Sequence, residues 1–428
     1  MSRSAELPGQ GSAAFLVKQH ILFSLRHAKY LPTPYQAEDN NRMTLAYFCL
    51  ASLALLPSSA VASTDESLSA LEVMLKPVQI QGFRDWVYEL QMPAGGFRGS
   101  NSLAAAGLSA EQAFTTDPAN VIQTYTALCV LGLLGDDYSR LDRTGLKRFL
   151  GECQNEDGSF SQVPGCEEPG DPRSSYSAFA VASMLDEWDF INVDQGLAFL
   201  ECCRSYEGAY AQRPGLEANA GPTYCAIAAY SLASRLHTIP EPDDLLRWLV
   251  DRQVQPPPPS PSEADSDPET EGITSVEAAS PGALPAVAPI PTSAAAAAGP
   301  HPRTRTSVDV AGFQGRANKP TDACYSFWNT AAMTILIPAI SPKLTLPDLV
   351  DPRLDRAWLL SCQHPVFGGI AREQKALPDV YHTYLSLAAL SLGAVKDRAL
   401  DLRRLDPAWN VPVAVAASMR THLWRDST

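Results

Sequence analysis

Residues 123–135 read QTYTALCVLGLLG, a run that past its first turn is apolar on every side of a helix. Such a helix has to be buried all round. The same pattern, a tyrosine near the start followed by small and branched apolar residues, recurs in four further runs. These are SSYSAFAVASML (174–185), PTYCAIAAYSLA (222–233), CYSFWNTAAMTIL (324–336) and YHTYLSLAALSL (381–392). An earlier run, MTLAYFCLASLALL (43–56), makes six. A glycine turn beside an aromatic or small residue precedes five of them: LQMPAGGFRG, CQNEDGSFSQ, CRSYEGAYAQ, AGFQGR and CQHPVFGGIAR. These turns lie about 50–60 residues apart once one insertion is discounted, the length of a helical hairpin with its loops. Segments between the runs, such as RLDRTGLKRFLGECQ (140–154), are amphipathic and suit an outer layer. The expectation is an all-α fold, a closed α/α barrel (toroid) of six helical hairpins, with six buried inner helices.

The whole chain, 1–428, reads as a single domain interrupted at about 254–308. That stretch opens QPPPPSPSEADSDPETEG and ends in a Pro/Ala/Ser tract, too poor in apolar residues to offset its ordering entropy. It is expected to be disordered. It falls between ordinary segments, RWLVDRQ and AGFQGRANKP, so it reads as an excursion from one domain. Over the whole chain, 45% apolar residues suffice for a large core. A net charge of −14 argues against non-specific nucleic-acid binding, which needs a broad basic surface. Nine cysteines form no CxxC pair or disulfide framework, which points to reduced thiols and a cytoplasmic location. The run at 43–56 imitates a signal peptide. It lacks a basic flank directly before it and is too short to span a bilayer, so a core helix is expected, with no stable membrane insertion.

Aligning the runs on Tyr125, Tyr176, Tyr224, Tyr325 and Tyr384 puts these tyrosines at one level. Just upstream stand Asn120, Arg173, Asn219, Asp322 with Cys324, and His382, so polar residues gather at one rim of an apolar barrel. Helix N-termini there favour an anion. Asp322, Cys324 and His382 offer carboxylate, thiolate and imidazole, the donor set of a catalytic zinc site with a fourth position open. A buried cysteine beside an ordinary capping aspartate explains the same residues without metal. Glu201-x-Cys203 repeats the acidic-x-Cys spacing by chance. Arg316, Lys319 and Tyr325 set a guanidinium, an ammonium and a phenol next to a helix start, a combination suited to a diphosphate. Solvated loop cations are the plainer alternative.

At DACYSFW (322–328), YHTYLSLAAL (381–390) and the GGFRG-type turns, the sequence resembles the β subunits of protein prenyltransferases. The resemblance runs over nearly the whole chain outside the insertion. GFQGRANKPTDACYSFW (312–328) is especially similar to the geranylgeranyl type I class. The resemblance implies zinc held by Asp322, Cys324 and His382, and an isoprenoid diphosphate held by Arg316, Lys319 and Tyr325. Arg173 falls in the peptide-binding region, and a prenyltransferase α subunit is needed to complete the site. It further implies geranylgeranyl diphosphate as donor and C-terminal CaaX peptides, mainly Caa-Leu, of Rho-type small GTPases as acceptors. Thr44 falls where farnesyl enzymes carry tryptophan on the cavity floor, which implies a deeper pocket. Arg372 falls where farnesyl and Rab-type enzymes carry a magnesium-binding aspartate, which implies that magnesium is not required. Two positions depart from the pattern. Asn219 and Asn120 each replace a histidine, near the diphosphate and at the peptide end respectively. A farnesyltransferase β subunit is the nearest alternative, and a non-catalytic α/α-barrel binding module is the alternative of another class. A terpene cyclase would need a DxDD donor, which Asp136-Asp137 only approaches.

Overall fold

The computed structural model describes residues 14–61, 65, 67–101, 117–166, 170–254, 310–393 and 400–424. The insertion expected at about 254–308 lies outside the described residues apart from Val254, and the chain on both sides of it belongs to one compact unit. Val254 and Gln253 pair antiparallel with Gly312 and Phe313, which brings the two flanks of the insertion side by side.

Six inner helices form the wall: α2 (Arg42–Leu55), α5 (Val121–Leu133), α7 (Pro172–Leu185), α9 (Ala220–Leu232), α11 (Ala323–Ile340) and α13 (Val380–Gly393). Each packs on the next, and α13 packs back on α2, so the ring closes. An outer helix precedes each in the chain: α1 (Val17–Lys29), α4 (Pro77–Glu89), α6 (Arg143–Glu152), α8 (Val193–Cys202), α10 (Pro242–Val250) and α12 (Pro352–Ser361). A short α3 (Ala70–Met74) and a terminal α14 (Val413–Leu423) complete the α-helices among the described residues. The signal-like run is α2, with Tyr47, Leu50, Leu53 and Leu55 no more than 1% exposed. Helix α11 is long and apolar enough to cross a membrane by composition alone, yet 67% of that stretch is buried in the ring. Sheet among the described residues is limited to three two-residue antiparallel pairs. All nine cysteines are free thiols.

Four of the inner helices start alike because polar residues cap them. Asn120, Asp171, Asn219 and Asp322 each accept a hydrogen bond from a first-turn amide. A cap of this kind stabilises a helix by about 1 kcal/mol. The glycine turns let the outer helices come close: at Gly95 (φ 99°) an added Cβ would sit 1.8 Å from the Gly145 carbonyl oxygen.

Counted from the caps, one expectation needs correction. Tyr125, Tyr176 and Tyr224 stand five residues after Asn120, Asp171 and Asn219. The residue five after Asp322 is Phe327, so Tyr325 lies two positions nearer the rim and outside the tyrosine layer. Tyr47 of α2 joins the layer instead. These hydroxyls meet a segment that sequence reading passed over, Pro407–Asn410. Successive carbonyls go to successive helices: Pro407 accepts from Tyr224 (2.9 Å), Ala408 from Tyr176 (3.0 Å), Trp409 from Tyr125 (3.0 Å) and Asn410 from Tyr384 (2.7 Å) and Tyr47. Buried carbonyls need donors, and the tyrosines supply them. The segment thereby plugs the ring.

Candidate active site

The metal-ligand candidates converge because of how α11 and α13 begin. Asp322 is the cap of α11 and keeps extended backbone (φ −145°, ψ 134°). Its carboxylate accepts from the Cys324 amide at 2.9 Å. Residues two apart cannot share a face within a helix, but across a cap they can. One ligand atom from each of Asp322, Cys324 and His382 lies within 4.8 Å of the others. His382 Nε2 is 3.3 Å from Asp322 Oδ1, while its Nδ1 is held at 2.6 Å by Asp379 Oδ2. Asp379 also accepts from the His382 amide (2.8 Å), so one carboxylate fixes both the backbone and the ring. Sequence reading missed Asp379. A carboxylate three residues before the histidine was the available signal, and it looks like any helix cap.

Burial pushes the Cys324 thiol up to about 12. For His382, burial alone would depress the ring, but its hydrogen bonds with Asp322, Asp379 and Cys324 outweigh this and hold the imidazole far above its usual range. Burial raises the Asp322 carboxyl, and contact with His382 and Cys324 more than reverses this, leaving it below the ordinary value. A soft sulfur, an imidazole with its second nitrogen tied to a carboxylate, and one carboxylate oxygen fit a zinc ion better than a hard cation.

The proposed cations divide. Arg372 Nε lies 3.1 Å from Asp322 Oδ2, and its carbonyl accepts from the Ala323 amide at 2.9 Å. Arg316 Nη1 pairs with Glu217 Oε2 at 3.2 Å, and Lys319 is exposed on the same loop. Tyr325 packs over Gly315, where an added Cβ would fall 1.9 Å from the ring. Its hydroxyl is within hydrogen-bond reach of Asn219, and burial raises it. The structure therefore brings Asp322, Cys324, His382, Arg372, Tyr325, Asn219 and Arg316 to one side of the rim.

The other candidates stand apart from that cluster. Arg173 projects from α7 with its Nε on Asp171 (3.0 Å). Asn120 caps α5 and donates to Gln162 (3.0 Å). Thr44, in the first turn of α2, donates to Gln123 Oε1 (3.0 Å), and Gln123 Nε2 donates in turn to Asn41 Oδ1 (3.1 Å). Behind the rim the wall is aromatic. Phe48 contacts Tyr381 and Tyr384 at 5.5 and 5.7 Å, and Trp328 contacts Tyr224 at 5.2 Å and donates to the Tyr381 hydroxyl. Phe48, Trp328 and Tyr381 are only half-buried, so apolar surface remains open on the wall. A groove of about 760 Å³ lies elsewhere, between α1, α2 and α4.

Comparison with known proteins agrees with this architecture. The family model described as the prenyltransferase alpha-alpha toroid domain matches residues 15–411. The chain is 29% identical over 393 residues to the geranylgeranyl transferase type-1 subunit beta of Dictyostelium discoideum, covering 87% of this chain and 89% of that protein. It is 28% identical over 395 residues to the protein of the same name from Arabidopsis thaliana, covering 89% and 86%. In fold it is similar to Candida albicans protein geranylgeranyltransferase-I complexed with GGPP, with a TM-score of 0.69, 21% identity, and 96% and 99% of the two chains covered. Because the family match runs through all six hairpins, the chain belongs to the prenyltransferase α/α toroid family and is a prenyltransferase β subunit.

Proposed function

We propose that this chain is the catalytic β subunit of a type I protein geranylgeranyltransferase, active with an α subunit on the cysteine of C-terminal CaaX tails. The observation that carries the reading is a sulfur–imidazole–carboxylate trio, with ligand atoms within 4.8 Å of one another, at the rim of an aromatic-walled ring. Asp322, Cys324 and His382 would hold zinc, which when bound acidifies a coordinated thiol at neutral pH. The protein's own groups do the rest. Asp379 turns the His382 ring so that Nε2 faces the other two ligands. The aromatic wall takes the prenyl chain and excludes water from it. Arg316, Lys319 and Tyr325 orient the diphosphate and stabilise its charge as the substrate sulfur displaces it from C1. Arg372 adds a fixed positive charge beside Asp322, consistent with a reaction that needs no magnesium. Arg173 and Asn120 would contact the incoming peptide.

The type I reading over the farnesyl one rests on Thr44 and Arg372. The test is co-expression with an α subunit, followed by competition between fifteen- and twenty-carbon donors on Leu-ending and Met-ending peptides. Preference for the longer donor with Leu-ending peptides is expected, moving toward the shorter donor in Thr44→Trp. Preference for the shorter donor in the parent protein supports the farnesyl reading. No transfer, with no zinc retained, supports the non-catalytic module.

A further inference from the structure

Of the three cations proposed around the diphosphate, Arg316, Lys319 and Arg372, two already face a carboxylate. Arg372 leans on Asp322 (3.1 Å), a candidate metal ligand. Arg316 leans on Glu217 (3.2 Å), which belongs to no metal set. The loop that carries Glu217 is stitched to the Arg316 loop where the Ala220 amide donates to the Gly315 carbonyl (2.8 Å), and again where Tyr325 meets Asn219. Both members of the Arg316–Glu217 pair are more than two-fifths exposed, so the pair contributes little to folding. Its effect on an incoming anion is another matter. A diphosphate carries several negative charges, and any diphosphate that reaches Arg316 meets the Glu217 carboxylate beside it.

We propose that Glu217 is an internal competitor for Arg316. It lowers affinity for the prenyl diphosphate head group and speeds departure of pyrophosphate. This rests on the assignment of Arg316 to the diphosphate. The physical logic is one of balance. A long prenyl chain against an aromatic wall already binds strongly through buried apolar area. An unopposed arginine would add a grip on the leaving group that turnover must then undo.

The test uses the purified heterodimer and direct titration with geranylgeranyl diphosphate. Glu217→Gln is expected to tighten binding about three- to tenfold, the range for losing a half-exposed charge next to an anion. The gain should be smaller with the prenyl monophosphate, absent with the uncharged prenyl alcohol, and reduced at high salt. A merely structural role for Glu217 would not follow head-group charge in this way. Inhibition by pyrophosphate should tighten in parallel, with the KM for peptide unchanged. In an Arg316→Gln background most of the gain should vanish. Unchanged or weaker diphosphate binding in Glu217→Gln overturns the proposal, as does an equal gain with the alcohol. The two levels separate cleanly. If the parent heterodimer binds no prenyl diphosphate, the functional reading itself fails. If it binds and Arg316→Gln weakens it while Glu217→Gln does not matter, only the role of Glu217 fails.

Discussion

Asp379 is the residue whose importance the sequence concealed most. It reads as one more helix cap, yet its carboxylate holds His382 Nδ1 at 2.6 Å and so decides which nitrogen faces Asp322 and Cys324. Carboxylates behind metal-bound histidines typically contribute 10- to 100-fold in metal affinity. Asp379→Asn is therefore expected to weaken zinc binding by about 10- to 100-fold with the heterodimer intact, read by chelator competition. Unchanged affinity would remove Asp379 from the site. The three ligand candidates were legible because a cap, the second helical position and the next inner helix fall in register. Glu217 was not, because an exposed acid in a loop carries no sign of the arginine it will meet a hundred residues on. Tyr325 was placed by its type and belongs by its register elsewhere, since position after the cap, and not identity, sets the level on the wall.

At the scale of elements, the six inner helices were legible for a simple reason. A segment apolar on every side has one stable fate in a water-soluble fold. Closure of the ring followed from their number and order. The plug did not, because Pro407–Asn410 has the composition of an ordinary turn. Its burial depends on five hydroxyls spread over five helices. The sixth helix presents Phe327 at that level, where no plug carbonyl needs a donor. Trp409 anchors the segment: it is 1% exposed, donates to Ser183 Oγ at 3.2 Å, and lies under the Arg420 guanidinium at 4.2 Å. Trp409→Ala is expected to cost about 3–5 kcal/mol, seen as a lower urea midpoint of the purified heterodimer. A midpoint within error of the parent would mean that the plug does not support the ring.

For the whole molecule, buried ionisable groups set a pH window for stability. Asp355 of α12 is buried and accepts from the Ser326 hydroxyl at 2.6 Å, and burial pushes its carboxyl up to about 7. A carboxyl raised on folding stabilises fully below its unfolded value and loses that contribution as pH rises through its folded one. Stability should therefore fall by on the order of 4 kcal/mol as pH rises from about 4 to about 7 through this group. His20 works from the other side. Burial lowers it to about 4, so its contribution is complete above the ordinary imidazole value and is lost as pH falls toward 4. Asp355→Asn keeps an acceptor for Ser326 and should flatten the loss between about pH 4 and 7 in denaturation midpoints taken across pH. A parent protein already flat there would contradict the assignment. Sequence could not reveal this, because an aspartate in an amphipathic outer helix reads as surface.

The proposed chemistry is tested most directly by zinc K-edge X-ray absorption on the purified heterodimer, before and after a cysteine-containing CaaX peptide is added. One sulfur neighbour at about 2.3 Å, with nitrogen and oxygen completing the shell, is expected in the free enzyme, rising to two sulfurs with peptide. A shell without sulfur, or one that the peptide leaves unchanged, would contradict Asp322, Cys324 and His382 as the centre that prepares the substrate thiol.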